Sequence, residues 1–149
     1  MPRGIALLLA VVSLSMASES VQATTFIALP VNPAGANETE PWGISGNTMV
    51  GNYFGPGSWP PQGFSYNGTT YTTLNVPSAT QGTFPLGIDG TNIVGYYRSS
   101  GAFTHGYLYN GSTYTTLDDP LDTTGSNAAT GISGANIVGN FSNASGDHS

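Results

Sequence analysis

The 149-residue chain carries eight acidic residues against two arginines, Arg3 and Arg98, for a net charge of −6. Charged residues make up 7% of it, against roughly 25% in an ordinary soluble domain. With no Lys, it has almost nothing with which to neutralise phosphates, which excludes nucleic acid and anionic lipid as partners. The absence of Cys excludes both disulfides and thiolate metal sites.

The chain opens with "MPRGIALLLAVVSLSMASESVQA". Arg3 precedes an apolar run from Ile5 to about Leu14, and a polar stretch then ends in Val21-Gln22-Ala23. That order is a signal peptide with small or short apolar residues where a signal peptidase reads. The run is too short to span a bilayer comfortably. The expectation is a cleaved leader over residues 1–23 and a mature start at Thr24, with cleavage after Ala17 as the alternative. No second apolar segment follows, so the sequence predicts a secreted or cell-surface protein with no membrane span after cleavage.

Beyond the leader, turn formers (Gly, 21 in all; Pro, 10) alternate with aromatic and β-branched residues, an all-β composition. Gly43-Ile44, Gly87-Ile88 and Gly131-Ile132 recur every 44 residues, the signature of a repeat architecture. Each unit runs "GI[SD]G", a "[MI]VG" strand ending in an aromatic residue, a Gly-rich loop, a "G[FY]-x-Y" strand, Asn-Gly and "[ST]TYTTL". One insertion after Tyr53 and one deletion before Leu86 fall in loops, as a fixed strand framework requires.

In "MVGNY" and "IVGYY" the alternation puts Met49, Gly51 and Tyr53 on one face and Val50 on the other. Both faces are apolar, which sheets stacked face to face need. The central Gly marks a close approach of another backbone. The pairs Asn67-Gly68 and Asn110-Gly111 fit two-residue type I′ hairpins, which would set Phe64 opposite Tyr71 and Tyr107 opposite Tyr114.

The predicted domain spans 24–149. It divides into a unit tail (24–42), repeat 1 (43–86), repeat 2 (87–130) and a truncated repeat 3 (131–149). The fold class expected is all-β: tandem antiparallel sheets of about 44 residues, propeller-blade-like and incomplete, with a β-trefoil as the alternative. Two and a fraction units are too few for a ring, so the chain reads as a fragment of a longer repeat protein. The strands left unpaired at its ends predict edge-strand self-association.

The blocks "GIDGTNIVGYY", "THGYLYNGSTYTTLDDP" and, more loosely, "QGFSYNGTTYTTLNVP" resemble the bacterial extracellular repeats of the HAF family. The resemblance runs from Gly43 to Ser149, with departures at Gln62, where His is usual, and at "PSA" and "PLD". It implies a secreted or surface protein built as a propeller-like sheet array. It implies no reaction and carries over no catalytic residues.

Candidate chemistry is sparse. His105 has no obvious partner in sequence and Gln62 occupies the matching position, so a structural role is expected; His148 falls near a frayed end. "LDDPLD" clusters Asp118, Asp119 and Asp122, but the spacing fits no EF-hand or RTX pattern and reads as a solvated turn. No "GxSxG" elbow appears, and the Gly-rich blocks lack the Lys and helix of a phosphate loop. Asn37, Asn67, Asn110 and Asn143 sit in glycosylation sequons, two of them already explained by turn chemistry.

The loops "FGPGSWPPQ" and "RSSGAFTH" hold residues the strand pattern does not demand. The candidate ligand-binding set is Phe54, Trp59, Arg98, Phe103 and His105, with aromatic rings suited to stacking on sugars. The expected partner is an extracellular glycan or matrix component, with no metal and no cofactor. The function predicted is a non-catalytic structural or recognition module, the alternative a lectin-like or accessory domain of a secreted carbohydrate-active enzyme.

Overall fold

A computed structural model describes residues 35–149 apart from Ser58, Ala144 and Ser145; the predicted leader and most of the unit tail lie outside the described residues. Three antiparallel sheets follow one another along the chain, and none closes into a barrel. Sheet 1 is β1 (Glu38–Ser45), β2 (Thr48–Phe54), β3 (Gln62–Tyr66) and β4 (Tyr71–Leu74). Sheet 2 is β5 (Thr83–Asp89), β6 (Asn92–Arg98), β7 (Thr104–Tyr109) and β8 (Tyr114–Leu117). Sheet 3 is β9 (Asn127–Ser133), β10 (Asn136–Asn143) and β11 (Gly146–His148). The strands of each sheet are hydrogen-bonded in chain order. This is the incomplete, blade-like arrangement expected, and separate stacked sheets set the trefoil alternative aside. His148 lies in β11, paired with Phe141, where a frayed end was expected.

The first two strands of each unit are joined at "GISG" or "GIDG", with Gly46, Gly90 and Gly134 at φ of 56, 59 and 57°. One extra residue then bulges from the first strand: Trp42, Leu86 and Thr130. The central glycine of the second strand lies close to this irregularity. A Cβ on Gly51 would stand 2.0 Å from the Glu40 carbonyl oxygen, and one on Gly95 2.0 Å from that of Phe84. The predicted close backbone approach is therefore an approach within the sheet, and no other residue fits there.

The hairpins correct the expected register. Tyr66 pairs with Tyr71 and Tyr109 with Tyr114, so four residues link the strands instead of two. The Asn side chain is the cause: Asn67 Oδ1 accepts the Thr69 and Thr70 amides at 3.1 and 2.8 Å, and Asn110 Oδ1 does the same for Ser112 and Thr113. An Asn that caps backbone amides with its own side chain ends strand pairing early. The Tyr66 and Tyr109 hydroxyls donate to the Gly68 and Gly111 carbonyls, both at 2.8 Å. A two-residue shift keeps every side chain on its face. The aromatic contact therefore survives with new partners: Tyr66 stacks on Tyr71 at 4.3 Å, and Phe64 becomes the diagonal neighbour at 5.4 Å.

Sheets stack through alternating faces. Gly43 and Val50 face forward from sheet 1, and Ile88 and Ile93 face back from sheet 2. Val50, Leu74, Ile88 and Ile93 form one buried cluster between them. A Cβ on Gly43 would meet Gly87 Cα at 3.2 Å, and a Cβ on Gly87 would meet Gly131 Cα at 3.3 Å. Glycines one period apart thus let the first strands of successive sheets nearly touch. The side chain two positions on ties each joint. Ser45 Oγ accepts the Gly90 amide at 3.1 Å, and an Asp89 carboxylate oxygen accepts the Gly134 amide. The backward face of sheet 2 is closed by the segment that enters it, with Val76 packed on Tyr97 and Tyr107.

Candidate functional site

The sequence candidates divide between two loop edges. Phe54 and Arg98 prove to be the last residues of β2 and β6, inside the strand ladder. Arg98 lies over two stacked rings, with its guanidinium carbon 5.2 Å from Phe84 and 5.9 Å from Tyr96. That is a cation–π clamp on the outer end of sheet 2. Trp59 is exposed in the β2–β3 loop. Phe103 ends the β6–β7 connection and His105 is the second residue of β7, at a different edge on a different sheet.

At the β6–β7 connection polar groups converge. A short 3-10 turn covers Ser100–Ala102, Gly101 has φ 84°, and the Ser99 amide donates to the Phe103 carbonyl at 3.0 Å. The turn brings Ser99 back over the start of β7, where His105 sits. Ser99 Oγ and His105 Nε2 are 3.1 Å apart, and His105 Nδ1 and Asp118 Oδ2 are 2.7 Å apart. The imidazole also stacks on Tyr97 at 5.0 Å. His105 and Asp118 are partly open to solvent, with side-chain exposures of 26% and 37%. His105 therefore has the partners that its sequence neighbourhood did not reveal, and the order is serine, histidine, carboxylate. Asp118 accepting at Nδ1 fixes the tautomer that leaves Nε2 free to accept from Ser99.

The loop after β8 frames this relay. Thr104 donates its amide to the Gly125 carbonyl at 2.8 Å. The exposed Phe103 ring lies so close to Gly125 that a Cβ there would meet it at 2.2 Å. The carboxylates of "LDDPLD" separate. Asp118 faces His105, while Asp119 Oδ1 accepts the Leu121 amide at 2.8 Å. Asp122 accepts the amides of Thr124, Gly125 and Ser126 and the side chain of Asn127. Desolvation works to raise the Asp122 pKa, but the Thr124, Gly125 and Ser126 amides outweigh it and hold the carboxyl below the usual range. The turn is solvated, as predicted, with Pro120 and Leu121 exposed, and it is also tightly wired by its own carboxylates. Among the described residues, no three His, Asp or Glu side chains gather as a metal site.

A groove of about 540 Å³ adjoins this edge, lined from Leu117–Pro120 across to Ile137–Phe141. Asp118 is on its rim, which connects it to the relay. Neither Ser99 nor the groove was singled out by sequence; the only signal for Ser99 was its place six residues before the lone internal His. Comparison with family models, curated proteins and solved structures returns no match for this chain.

Proposed function

We propose that the chain is an exported, non-catalytic repeat module of the HAF type that binds an extracellular glycan or matrix polymer at the β6–β7 loop edge. The observation that carries this reading is the exposed Phe103 ring, seated on glycine next to the His105–Asp118 pair. An aromatic platform beside groups that accept and donate hydrogen bonds suits the apolar face and hydroxyls of a sugar ring. Trp59 and Phe54 belong to a separate edge and are secondary in this reading. The test is glycan-array and polysaccharide pull-down binding of the full chain. Phe103→Ala is expected to weaken binding at least about tenfold and Trp59→Ala to change it little. Binding that ignores Phe103→Ala removes the proposed site.

A second reading rests on the Ser99–His105–Asp118 order. In acyl transfer the Ser99 hydroxyl would add to an ester carbonyl while Nε2 takes its proton. Asp118 would steady the imidazolium, which then returns the proton to the departing alkoxide. Covalent labelling of Ser99 by a fluorophosphonate, lost in Ser99→Ala and His105→Ala, would establish this reading and overturn the non-catalytic one.

A further inference from the structure

Sheet 3 presents the same forward face as the two sheets before it, with no successor among the described residues. Gly43, Val50 and Ser45 of sheet 1 meet sheet 2, and Gly87, Val94 and Asp89 of sheet 2 meet sheet 3. The third set is Gly131, Val138 and Ser133. Val50 and Val94 are 0% exposed, whereas Val138 is 64% exposed. A Cβ on Gly131 would meet only its own sheet's Val138. An open recess of about 220 Å³ remains there, lined by Gly131, Ile132, Ser133, Asn136 and Val138.

The backward face of sheet 1 is the complement. Ile88 is 8% exposed because it reaches back into the cluster with Val50 and Leu74, but its counterpart Ile44 is 65% exposed. One chain thus carries both halves of a joint it already makes twice internally.

We propose that the forward face of sheet 3 is the docking surface for sheet 1 of a second copy of this chain. In the joint, β1 of the incoming copy lies across β9 and β10. Ile44 fills the recess at Gly131 and Val138, and Ser133 Oγ accepts the Gly46 amide, as Ser45 accepts that of Gly90. The contact is head to tail, so it repeats until it closes. The described residues of two copies bring six sheets, within the roughly four to eight at which blade-like sheets close into a ring. The expected product is a closed dimer with two identical joints, not an open fibre.

Sedimentation equilibrium of the full chain up to about 100 µM, where a mass-action dimer declares itself, is the test. The expected result is a concentration-dependent rise to twice the chain mass and no further. A monomer throughout, or a mass that grows without limit, overturns the proposal. Val138→Glu and Ile44→Glu alter exposed positions and should leave the sheet circular dichroism intact while each reduces the mass to that of a monomer. Mixing the two variants restores one sound joint, between the Ile44→Glu tail and the Val138→Glu head, and a 1:1 complex should reappear. Either variant remaining dimeric, or no complex in the mixture, refutes head-to-tail docking. Ser133→Ala should weaken the dimer about fivefold, and no weakening would remove the hydrogen bond from the joint.

Discussion

Sheets 1 and 2 agree strand for strand, yet their loop edges carry different chemistry. Where sheet 2 has Ser99, His105 and Asp118, the matching positions of sheet 1 are Gly55, Gln62 and Asn75. Gln62 Oε1 accepts the Tyr53 hydroxyl at 2.7 Å, whereas Tyr97 pairs with Thr116 and leaves the imidazole to Ser99 and Asp118. The inner strands also differ. Glu40, Asn52 and Trp42 form a hydrogen-bonded chain in sheet 1, and stacked Phe84 and Tyr96 take the same places in sheet 2. The comparison teaches that glycines and hairpin tyrosines specify the scaffold, and the remaining positions are free to diverge into a site.

If that division holds, substitutions at shared positions should cost stability in both sheets. Gly95→Val, which drives a side chain into the Phe84 carbonyl, should cost about 3 kcal/mol or more in denaturant unfolding. Gly111→Ala, with φ 96° and only an ordinary contact with Thr91 at 3.5 Å, should cost about 1 kcal/mol. Equal losses would mean that crowding does not set the requirement for glycine. Between those two in size, Val94→Ala should lose about 2 kcal/mol, whereas Val138→Ala in the monomer should lose under about 0.5 kcal/mol. Similar values would show that the third sheet is covered after all.

The tyrosines of sheet 2 predict a pH dependence. Burial, then the neighbouring Tyr109, pushes Tyr114 up to about 12, and burial holds Tyr107 well above its ordinary value. The protonated phenols are therefore favoured by folding. Their contribution is fully present below the unfolded pKa of roughly 10 and is lost as pH rises from there through 12. Unfolding midpoints measured over that interval should fall, and Tyr114→Phe should flatten the fall. Asp122 works in the opposite sense. Its depressed pKa favours the fold above the unfolded value of roughly 3.9, and that support disappears as pH drops. Asp122→Asn should give the smallest change: it removes that support near neutrality, so wild type and variant should converge in stability in the region below pH ~4.

The repeat, the stacking and the alternation of faces were legible because glycine, valine and aromatic residues recur at fixed spacing, and each spacing has one physical reading. The hairpin register was not. Asn-Gly favours a two-residue link by backbone preference, and only the side chain of Asn67 accepting two amides converts it to four. The site was legible only in part. Phe103 and His105 were marked because no strand demands them, but Ser99 looked like any loop serine until the 3-10 turn folded it over β7. Phe54 and Arg98 looked free and are strand ends. Asp118 was read as a carboxylate among carboxylates, because contacts across a hairpin are invisible without the register.

The glycine column at Gly43, Gly87 and Gly131 has a genetic consequence. Because the glycine and valine contacts recur at each joint, duplicating or deleting a whole period leaves the same kinds of contact at every remaining joint. Recombination between copies can lengthen or shorten such an array in one step without inventing a new contact, whereas a partial period would strand a backbone carbonyl against a side chain. Array length can then drift by integers while loop chemistry diversifies unit by unit.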